Sequence, residues 1–387
     1  MRASAGEDAA SASKGVDAEA IELGSSCAYL AFEIVNDWAN IVHILAMCDA
    51  LVDLGIDTEL FAYPEGPVAP SADEVRQRWG LDHELSIAWL PLNPNRWLAR
   101  ARLSLESFRA GRRHDFIYTR NPLAALGALL GGTPAVILEM HQPEDAKHGR
   151  LAFSLARLSR RLHIVCISRR LAEIIAEDFR LDESKIIVEH TGTKLPVRCD
   201  YEIDTADGRR LIATYVGTFA PGRGLETIFA MAERFPDIDF VVVGGEAPEV
   251  SIPSNVDVRN AIAHGLVPAL LSSSDVLLMP YTRNVMLPDG NSGTGEYCSP
   301  LKMFEYLATG RSIISSDLPS ISEVLVDGSN ALVVDELSVD QWCDALGRLA
   351  SDPALRVCLA RGAAATAEHH TLDKRLRRIL SEVWSRR

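Results

Sequence analysis

The sequence predicts an α/β protein built from two facing Rossmann-like domains, and three observations carry that expectation. At 387 residues and 47% hydrophobic, the chain is too long for one ordinary core, since domains usually hold ~100–200 residues. Short apolar runs alternate with helical patterns through the first half, stop in PVRCDYEIDTADGRR (Pro196–Arg210), and then restart. The two βα arrays have similar lengths, so each forms its own parallel sheet, with a ligand expected in the cleft outside the carboxyl ends of the strands.

Residues 1–22 open MRASAGEDAASASKG, acidic and small where a secretory signal would be basic and then apolar, and read as a disordered leader. The first domain is expected over residues 23–200. Its first strand lies within Ser26–Val35 (CAYLAFEIV), followed by a loop at Asn36–Asn40 and a helix from Ile41 to Leu54 that Gly55 ends. Asp57–Ala62 is the next strand, and a proline-rich loop follows through Pro70. Phe116–Tyr118, Ala135–Leu138, His163–Ile167 and Ile186–Val188 are short apolar runs of the kind that form buried parallel strands. Pro196–Arg210 has little periodicity and marks the boundary. The second domain is expected over residues 208–370, with strands at Leu211–Val216, Phe240–Val243, Val276–Pro280, Ser312–Ser315 and Ala331–Val334. Its helices fall at Leu225–Phe235, Val267–Ser273, Ser299–Thr309 and Val339–Ala350. Arg356–His370 and Leu372–Trp384 read as closing helices, residues 371–387 forming the C-terminal one.

Composition narrows the function classes. A formal charge of −14 opposes nucleic acid and simple attachment to anionic lipid, both of which need a positive surface. The seven cysteines are scattered, odd in number and without C-x-x-C spacing, which points to reduced thiols, no structural zinc and a cytoplasmic location. No apolar run approaches the ~18–20 residues of a membrane span. One local exception to the acidic balance is Arg96 with WLARARLSLESFRAGRRH (Trp97–His114), where Arg100, Arg102, Arg109, Arg112 and Arg113 surround apolar residues. As an amphipathic element it offers weak peripheral membrane contact or a surface for a lipid-linked or anionic acceptor; a solvated helix face is the other reading.

Candidate chemistry gathers in SPLKMFEYLATGRSIISSDLP (Ser299–Pro319). Ser299 is expected to cap a helix, Pro300 to be its first residue, and Gly310 to end it in a left-handed conformation. Leu301, Phe304, Leu307 and Ala308 share its apolar face. Lys302 is misplaced by local rules, a cation at the positive end of the macrodipole with Glu305 in the less favourable order. An anion at the helix start would be drawn by backbone N–H groups and by Lys302 together, and Glu305 would accept from ligand hydroxyls. A solvated surface lysine is the alternative. Upstream, the strand LIATYVGTF leads into Ala220-Pro221-Gly222-Arg223-Gly224, a turn whose glycines admit a pyrophosphate that Arg223 can grip. It is neither a dinucleotide fingerprint nor a P-loop. Paired with Lys302 it becomes a two-cation clamp on one diphosphate, stabilising leaving-group charge without metal. The glycine-rich Asp289–Gly295 is expected to be mobile, either closing over a ligand or simply flexible. In the first domain Asn40 and His43 bracket a helix start, and Glu139-Met140-His141 follows a strand, both where an α/β cleft opens. Glu144, His141 and His148 match no standard metal spacing, and H-E-x-x-H and G-x-S-x-G are absent.

These pieces together resemble the family 4 retaining glycosyltransferases of GT-B fold, over about residues 26–370. The motifs that carry the resemblance are SPLKMFEYLATGRSIISSDLPSISEVLVDGSNALVV, VGTFAPGRG, HGLVPALLSSSDVLLMPY, NIVHILAMCDALVDLG and VCISRRL. The resemblance implies a nucleotide diphosphate sugar, UDP- or GDP-linked, held mostly by the second domain, and a sugar or glycoside acceptor held mostly by the first. It implies transfer with retention, with no metal and no further cofactor. By motif, Arg223 and Lys302 are similar to the diphosphate ligands and Glu305 to the ribose ligand, while backbone around Ser299, Pro300 and Leu301 is similar to the phosphate and sugar contacts. His141 is similar to the histidine near the transferring sugar, so His141, Arg223 and Lys302 are the expected catalytic set. Gly217, Thr218, Gly222, Tyr297 and Cys298 complete the expected donor side, and Asn40 and His43 the acceptor side. Two departures stand out. Tyr297 occupies the position of the family's first paired glutamate, with Glu296 one residue early, and Gly217-Thr218 replaces the Gly-Arg of many members. A nucleotide-sugar epimerase of the same fold and a catalytically weak binding subunit are the rival expectations.

Overall fold

The structure, a computed structural model, describes residues 24–36, 39–92, 95–143, 149–195, 209–286 and 293–386. The expected leader, most of the expected boundary segment, the expected mobile loop up to residue 292, Glu144 and His148 lie outside the described residues.

The first domain contains β1 (Ser26–Ile34), β2 (Asp57–Tyr63), β3 (Ser86–Trp89), β4 (Phe116–Thr119), β5 (Ala135–Met140), β6 (Leu162–Cys166) and β7 (Ile186–Val188). They pair in parallel in the order β3-β2-β1-β4-β5-β6-β7. The second contains β8 (Ile212–Val216), β9 (Asp239–Val243), β10 (Val256–Arg259), β11 (Val276–Met279), β12 (Ser312–Ser316) and β13 (Leu332–Val334), in the order β10-β9-β8-β11-β12-β13. In both sheets the order reverses beside the first strand, so each domain opens a crevice at that switch point, between β1 and β4 and between β8 and β11.

Helices cover both faces. In the first domain these are α1 (Ala39–Asp53), α2 (Ala72–Trp79), α3 (Arg96–Ala110), α4 (Pro122–Gly131), α5 (Arg150–Ala156) and α6 (Arg169–Phe179). The second has α7 (Leu225–Arg234), α8 (Val267–Ser272), α9 (Leu301–Ala308), α10 (Val339–Ser351) and α11 (Pro353–His369), and α12 (Leu372–Ser385) ends the described chain. Local chemistry explains their limits. Asn121 accepts from the N–H groups of Leu123 and Ala124, Pro122 opens α4, and Gly132 closes it at φ 98°. Every residue of β5 is buried, as expected of a parallel strand covered on both faces.

α12 crosses back. Leu372, Leu376, Ile379, Leu380 and Val383 pack with Ile44, Met47 and Leu51 of α1 in the first domain's core. The two chain crossings run side by side, Thr193 N–H donating to His370 O (3.2 Å) and Leu372 N–H to Thr193 O (3.3 Å).

Three expectations need correction. The helix expected from Ser299 starts at Leu301, and no side chain caps it. The reason is a competing partner in the other domain: the Ser299 hydroxyl accepts from Thr191 N–H (3.1 Å), and the Thr191 hydroxyl donates to Ser299 O (2.8 Å). Helix α1 begins at Ala39, inside the expected loop. Strands β3 and β10 were not anticipated; both are four-residue edge strands whose residues are only partly covered, so their sequences lack the apolar run that betrays a central strand.

Candidate active site

The donor-side crevice forms where β8 and β11 end. Gly217 leaves β8 at φ 153°, and the space above it is taken: a Cβ there would stand 2.3 Å from Lys302 Nζ. The lysine therefore reaches back across the strand end from α9. Its stem is partly exposed, but Nζ is buried and has no hydrogen-bond partner among the described residues. Two aromatic faces hold it instead, with Nζ 4.0 Å from the Tyr215 ring centroid and 4.7 Å from that of Tyr281. Arg223 shares the second ring: its guanidinium lies 4.6 Å from the Tyr281 centroid and donates to the Tyr281 hydroxyl. The turn carrying Arg223 is stitched to the segment after β11 by Thr282 N–H to Gly222 O (3.0 Å) and Met286 N–H to Pro221 O (3.1 Å).

Two cations thus converge on one tyrosine, with no carboxylate of the described residues in contact with either. Burial, reinforced by the Arg223 charge, pulls the Lys302 pKa well below that of a free lysine. An anion seated here would recover what desolvation costs. One turn along α9, burial raises the Glu305 pKa, and His264 Nε2 approaches its carboxylate at 3.3 Å. Cys298, whose carbonyl accepts from the Ser320 hydroxyl (2.6 Å), has its thiol pushed up to about 11 by burial.

The first domain's crevice is organised around a carboxylate. Glu139, one residue before the end of β5, is fully buried and accepts from four donors. His43 Nε2 (3.0 Å) and His141 Nε2 (2.5 Å) share Oε1, while the Tyr118 hydroxyl and Arg375 Nη2 (2.8 Å) share Oε2. Burial would raise the Glu139 pKa, but the Arg375 charge and the two imidazoles outweigh it and hold the group well below the usual carboxylate range. Burial likewise lowers His43, and lowers His141 to about 3 with help from the Arg120 charge, so burial disfavours the charged form of both rings. The three side chains His43, Glu139 and His141 are close enough to share a metal ion. Arg375 already compensates the carboxylate, and a cation added beside it would face the guanidinium.

Residues 42–195 match the family described as Glycosyltransferase Family 4, and residues 223–381 the family described as Glycosyl transferase-like. The chain belongs to the family 4 type GT-B glycosyltransferases. It is 24% identical over 373 residues to a D-inositol 3-phosphate glycosyltransferase of Kribbella flavida, an alignment that covers 84% of this chain and 86% of that one. It is 27% identical over 208 residues to the alpha-D-kanosaminyltransferase of Streptomyces kanamyceticus; that alignment covers 50% of this chain and about half of the relative, 48%. Among solved structures it resembles Anabaena Alr3699/HepE in complex with UDP, with a TM-score of 0.69, 11% identity, and coverage of 93% of this chain and 100% of that one.

Within this glycosyltransferase the structure brings together Gly217, Thr218, Gly222, Arg223, Lys302 and Glu305 around the second crevice, with Cys298, Pro300 and Leu301 at the start of α9. Thr218 contributes its carbonyl, which accepts from the Tyr215 hydroxyl (2.9 Å). Ser299 is turned to Thr191, and Tyr297 leaves the expected donor set: its ring packs with the first domain's core and its carbonyl accepts from the Ser168 hydroxyl (2.7 Å). Glu296 pairs with Arg170 of α6 (3.3 Å) rather than standing in for a donor contact. In the first crevice His43 and His141 meet at Glu139, while Asn40 lies half-exposed on the first turn of α1. Glu139 itself proves to be inside β5, not after it. Sequence reasoning missed Tyr215, Tyr281, His264 and Arg375. The two tyrosines carried a signal, each standing at or just past the carboxyl end of a strand beside the switch point; Arg375 carried none, because its partner is 236 residues away.

Proposed function

We propose that this glycosyltransferase moves a sugar from a nucleotide diphosphate sugar, UDP- or GDP-linked, to a hydroxyl of a glycan, lipid-linked or small-molecule glycoside acceptor, with retention and without an obligatory metal. The observation that carries the reading is the buried, unpartnered Lys302 Nζ beside Arg223, a pair of desolvated cations at a strand switch point. In the step this implies, the bond from the sugar anomeric carbon to the diphosphate oxygen breaks, and charge grows on the departing phosphate. Lys302 and Arg223 stabilise that charge as it forms, which lowers the barrier because the contact is stronger in the transition state than before it. The acceptor oxygen bonds to the anomeric carbon on the face the phosphate leaves, and its proton passes to the departing phosphate oxygen. Glu305 accepts from the ribose, His141 meets the transferring sugar, and Asn40 and His43 border the acceptor. The UDP complex of the Anabaena neighbour, a fold match, is consistent with such a donor. Exposed Leu98 and Leu105 on α3 and Leu151 and Leu155 on α5 stand near arginines and suit an acceptor held at a membrane surface.

The test is a thermal-shift panel of UDP-, GDP-, ADP- and TDP-sugars followed by NMR of the product. A UDP- or GDP-sugar is expected to raise the melting temperature, and the product to keep the donor's anomeric configuration. An inverted product overturns the same-face step, and donor conversion without any acceptor turns the reading into an epimerase.

A further inference from the structure

The donor-side carboxylate leans on a loop outside the helix that carries it. Glu305 stands one turn beyond Lys302 on α9, and its side chain is 21% exposed. Among the described residues it has a single ion-pair partner, His264, whose Nε2 lies 3.3 Å from Oε1. A carboxylate only accepts, so it draws the Nε2–H of that imidazole whether or not the ring is charged. The ring is placed by its neighbours in sequence. His264 opens a single turn, His264–Leu266, closed by Leu266 N–H donating to Ala263 O (2.9 Å), and α8 follows directly with Pro268 in its first turn. Ile262 before the turn and Val267 after it pack with Met303, Phe304 and Leu307 of α9, which ties the turn to the helix that carries Glu305. The turn also meets the first domain: a Cβ on Gly80, which ends α2 at φ 66°, would stand 3.9 Å from the Cα of Gly265.

We propose that His264 is a positioning residue of the donor site: it holds the Glu305 carboxylate in one orientation at the crevice and so makes this enzyme select a ribose with free hydroxyls. The proposal rests on the reading of Glu305 as the acceptor for the donor's ribose. Three observations carry it. A glutamate side chain is long and flexible, and a partner at 3.3 Å restricts its rotamers before a ligand arrives. The partner belongs to a separate segment of chain, yet Ile262 and Val267 fasten that segment to α9, so the pair keeps its geometry. A carboxylate offers about four lone-pair directions, and one imidazole N–H fills one of them, so acceptor capacity remains for the ribose hydroxyls. Burial raises the Glu305 pKa, and the His264 and Lys302 charges oppose that rise, which favours the ionised, accepting form. Without the ring, the carboxylate samples several rotamers, and ordering it weakens every contact the ribose makes with it.

Calorimetric titration of the full-length enzyme with UDP and with GDP, each against its 2′,3′-dideoxy analogue, reads ribose selection as a ratio of affinities within one protein, which a partly unfolded variant does not distort. The unmodified enzyme is expected to bind the better nucleotide about tenfold or more tightly than its dideoxy analogue, because a site built to bond hydroxyls rejects a ligand that lacks them. His264→Phe is expected to reduce that preference to about threefold or less, with the affinity for the dideoxy analogue held within about twofold, since Lys302 and Arg223 still meet the diphosphate. His264→Gln, which can again direct an N–H at Glu305, is expected to restore part of the preference. In steady state the donor KM of His264→Phe should rise by more than kcat falls, and a loss confined to kcat overturns the proposal. Glu305→Gln supplies the reference: it is expected to lose the preference too, and His264→Phe added to it to change nothing further. A full preference in His264→Phe, or a second loss in the double variant, overturns the positioning role while the ribose reading of Glu305 stands. A full preference in Glu305→Gln, no preference in the unmodified enzyme, or failure of both nucleotides to bind overturns that reading and the proposal with it.

Discussion

The two crevices solve opposite electrostatic problems. In the second domain, Lys302 and Arg223 sit against tyrosine faces with no ion-pair partner among the described residues, and Lys302 Nζ has no hydrogen-bond partner among them. In the first, Glu139 is surrounded by four donors, including a fully buried arginine brought from the far end of the chain. Both sit at a strand switch point, so topology alone does not distinguish them. The difference teaches what each site is for. A desolvated charge without a partner is tolerated only where a ligand supplies one, whereas a charge whose partners are complete orients its neighbours.

That contrast is easiest to break at Lys302. Lys302→Met is expected to lower kcat/KM on the order of 100-fold, the loss of a charge-assisted contact that tightens as phosphate leaves. The same substitution is expected to raise the ligand-free melting temperature by about 2–4 °C, because a buried amino group without a hydrogen-bond partner among the described residues is replaced by an apolar side chain of similar length. Steady-state kinetics and calorimetry check both, and a destabilised variant would mean that the cation is structural. Arg223→Ala should cost about tenfold or more in kcat/KM, somewhat less than Lys302→Met, because Arg223 keeps a tyrosine hydroxyl as partner.

Gly217→Ala sharpens the comparison without touching a charge. The added methyl would stand 2.3 Å from Lys302 Nζ and 3.0 Å from the Tyr215 hydroxyl, and a side chain at φ 153° is strained, so the melting temperature is expected to fall somewhat and donor affinity by about tenfold. Titration with UDP gives the answer; unchanged affinity would show that the ammonium does not need its present position.

The smallest effect concerns acid stability. Burial lowers His141 to about 3, and His190 and His370 to about 4. Unfolded histidine titrates near ~6.5, so between these values the unfolded chain binds protons that the folded chain refuses. Stability is therefore fully present above ~6.5 and declines as pH falls towards the folded values. The melting temperature should drop steadily between pH 7 and about pH 4.5, and less steeply in His141→Ala; identical slopes would remove that ring from the buried network.

Much of this architecture was legible in the sequence, and the reasons for the gaps are physical. Central strands such as Ala135–Met140 announce themselves because both faces are buried, while the half-covered edge strands Ser86–Trp89 and Val256–Arg259 do not. Lys302 was visible as a local violation, a cation at a helix start, and such violations gather where function overrides propensity. Ser299 misled because its preference for capping is real, yet Thr191 from the other domain takes its hydroxyl. Tyr297 could be recognised as a departure from the family pattern, but its place in the first domain's core depends on how the domains meet, which no local pattern encodes. Arg375 lies beyond sequence reasoning for the same reason: only the returning helix brings it to Glu139.

The central claim is that Lys302 waits, desolvated and reluctant to carry charge, for a diphosphate. Its folded pKa is lowered, and an anion at contact distance raises it again, so at any pH between the free and the bound value donor binding draws a proton from solution. Isothermal titration of UDP over a range of pH in buffers of different ionisation enthalpy, on the unmodified enzyme and on Lys302→Met, measures this directly. The account predicts a pH range with net proton uptake that disappears in Lys302→Met; UDP binding with no uptake at any pH, or with the same uptake in both proteins, would contradict it.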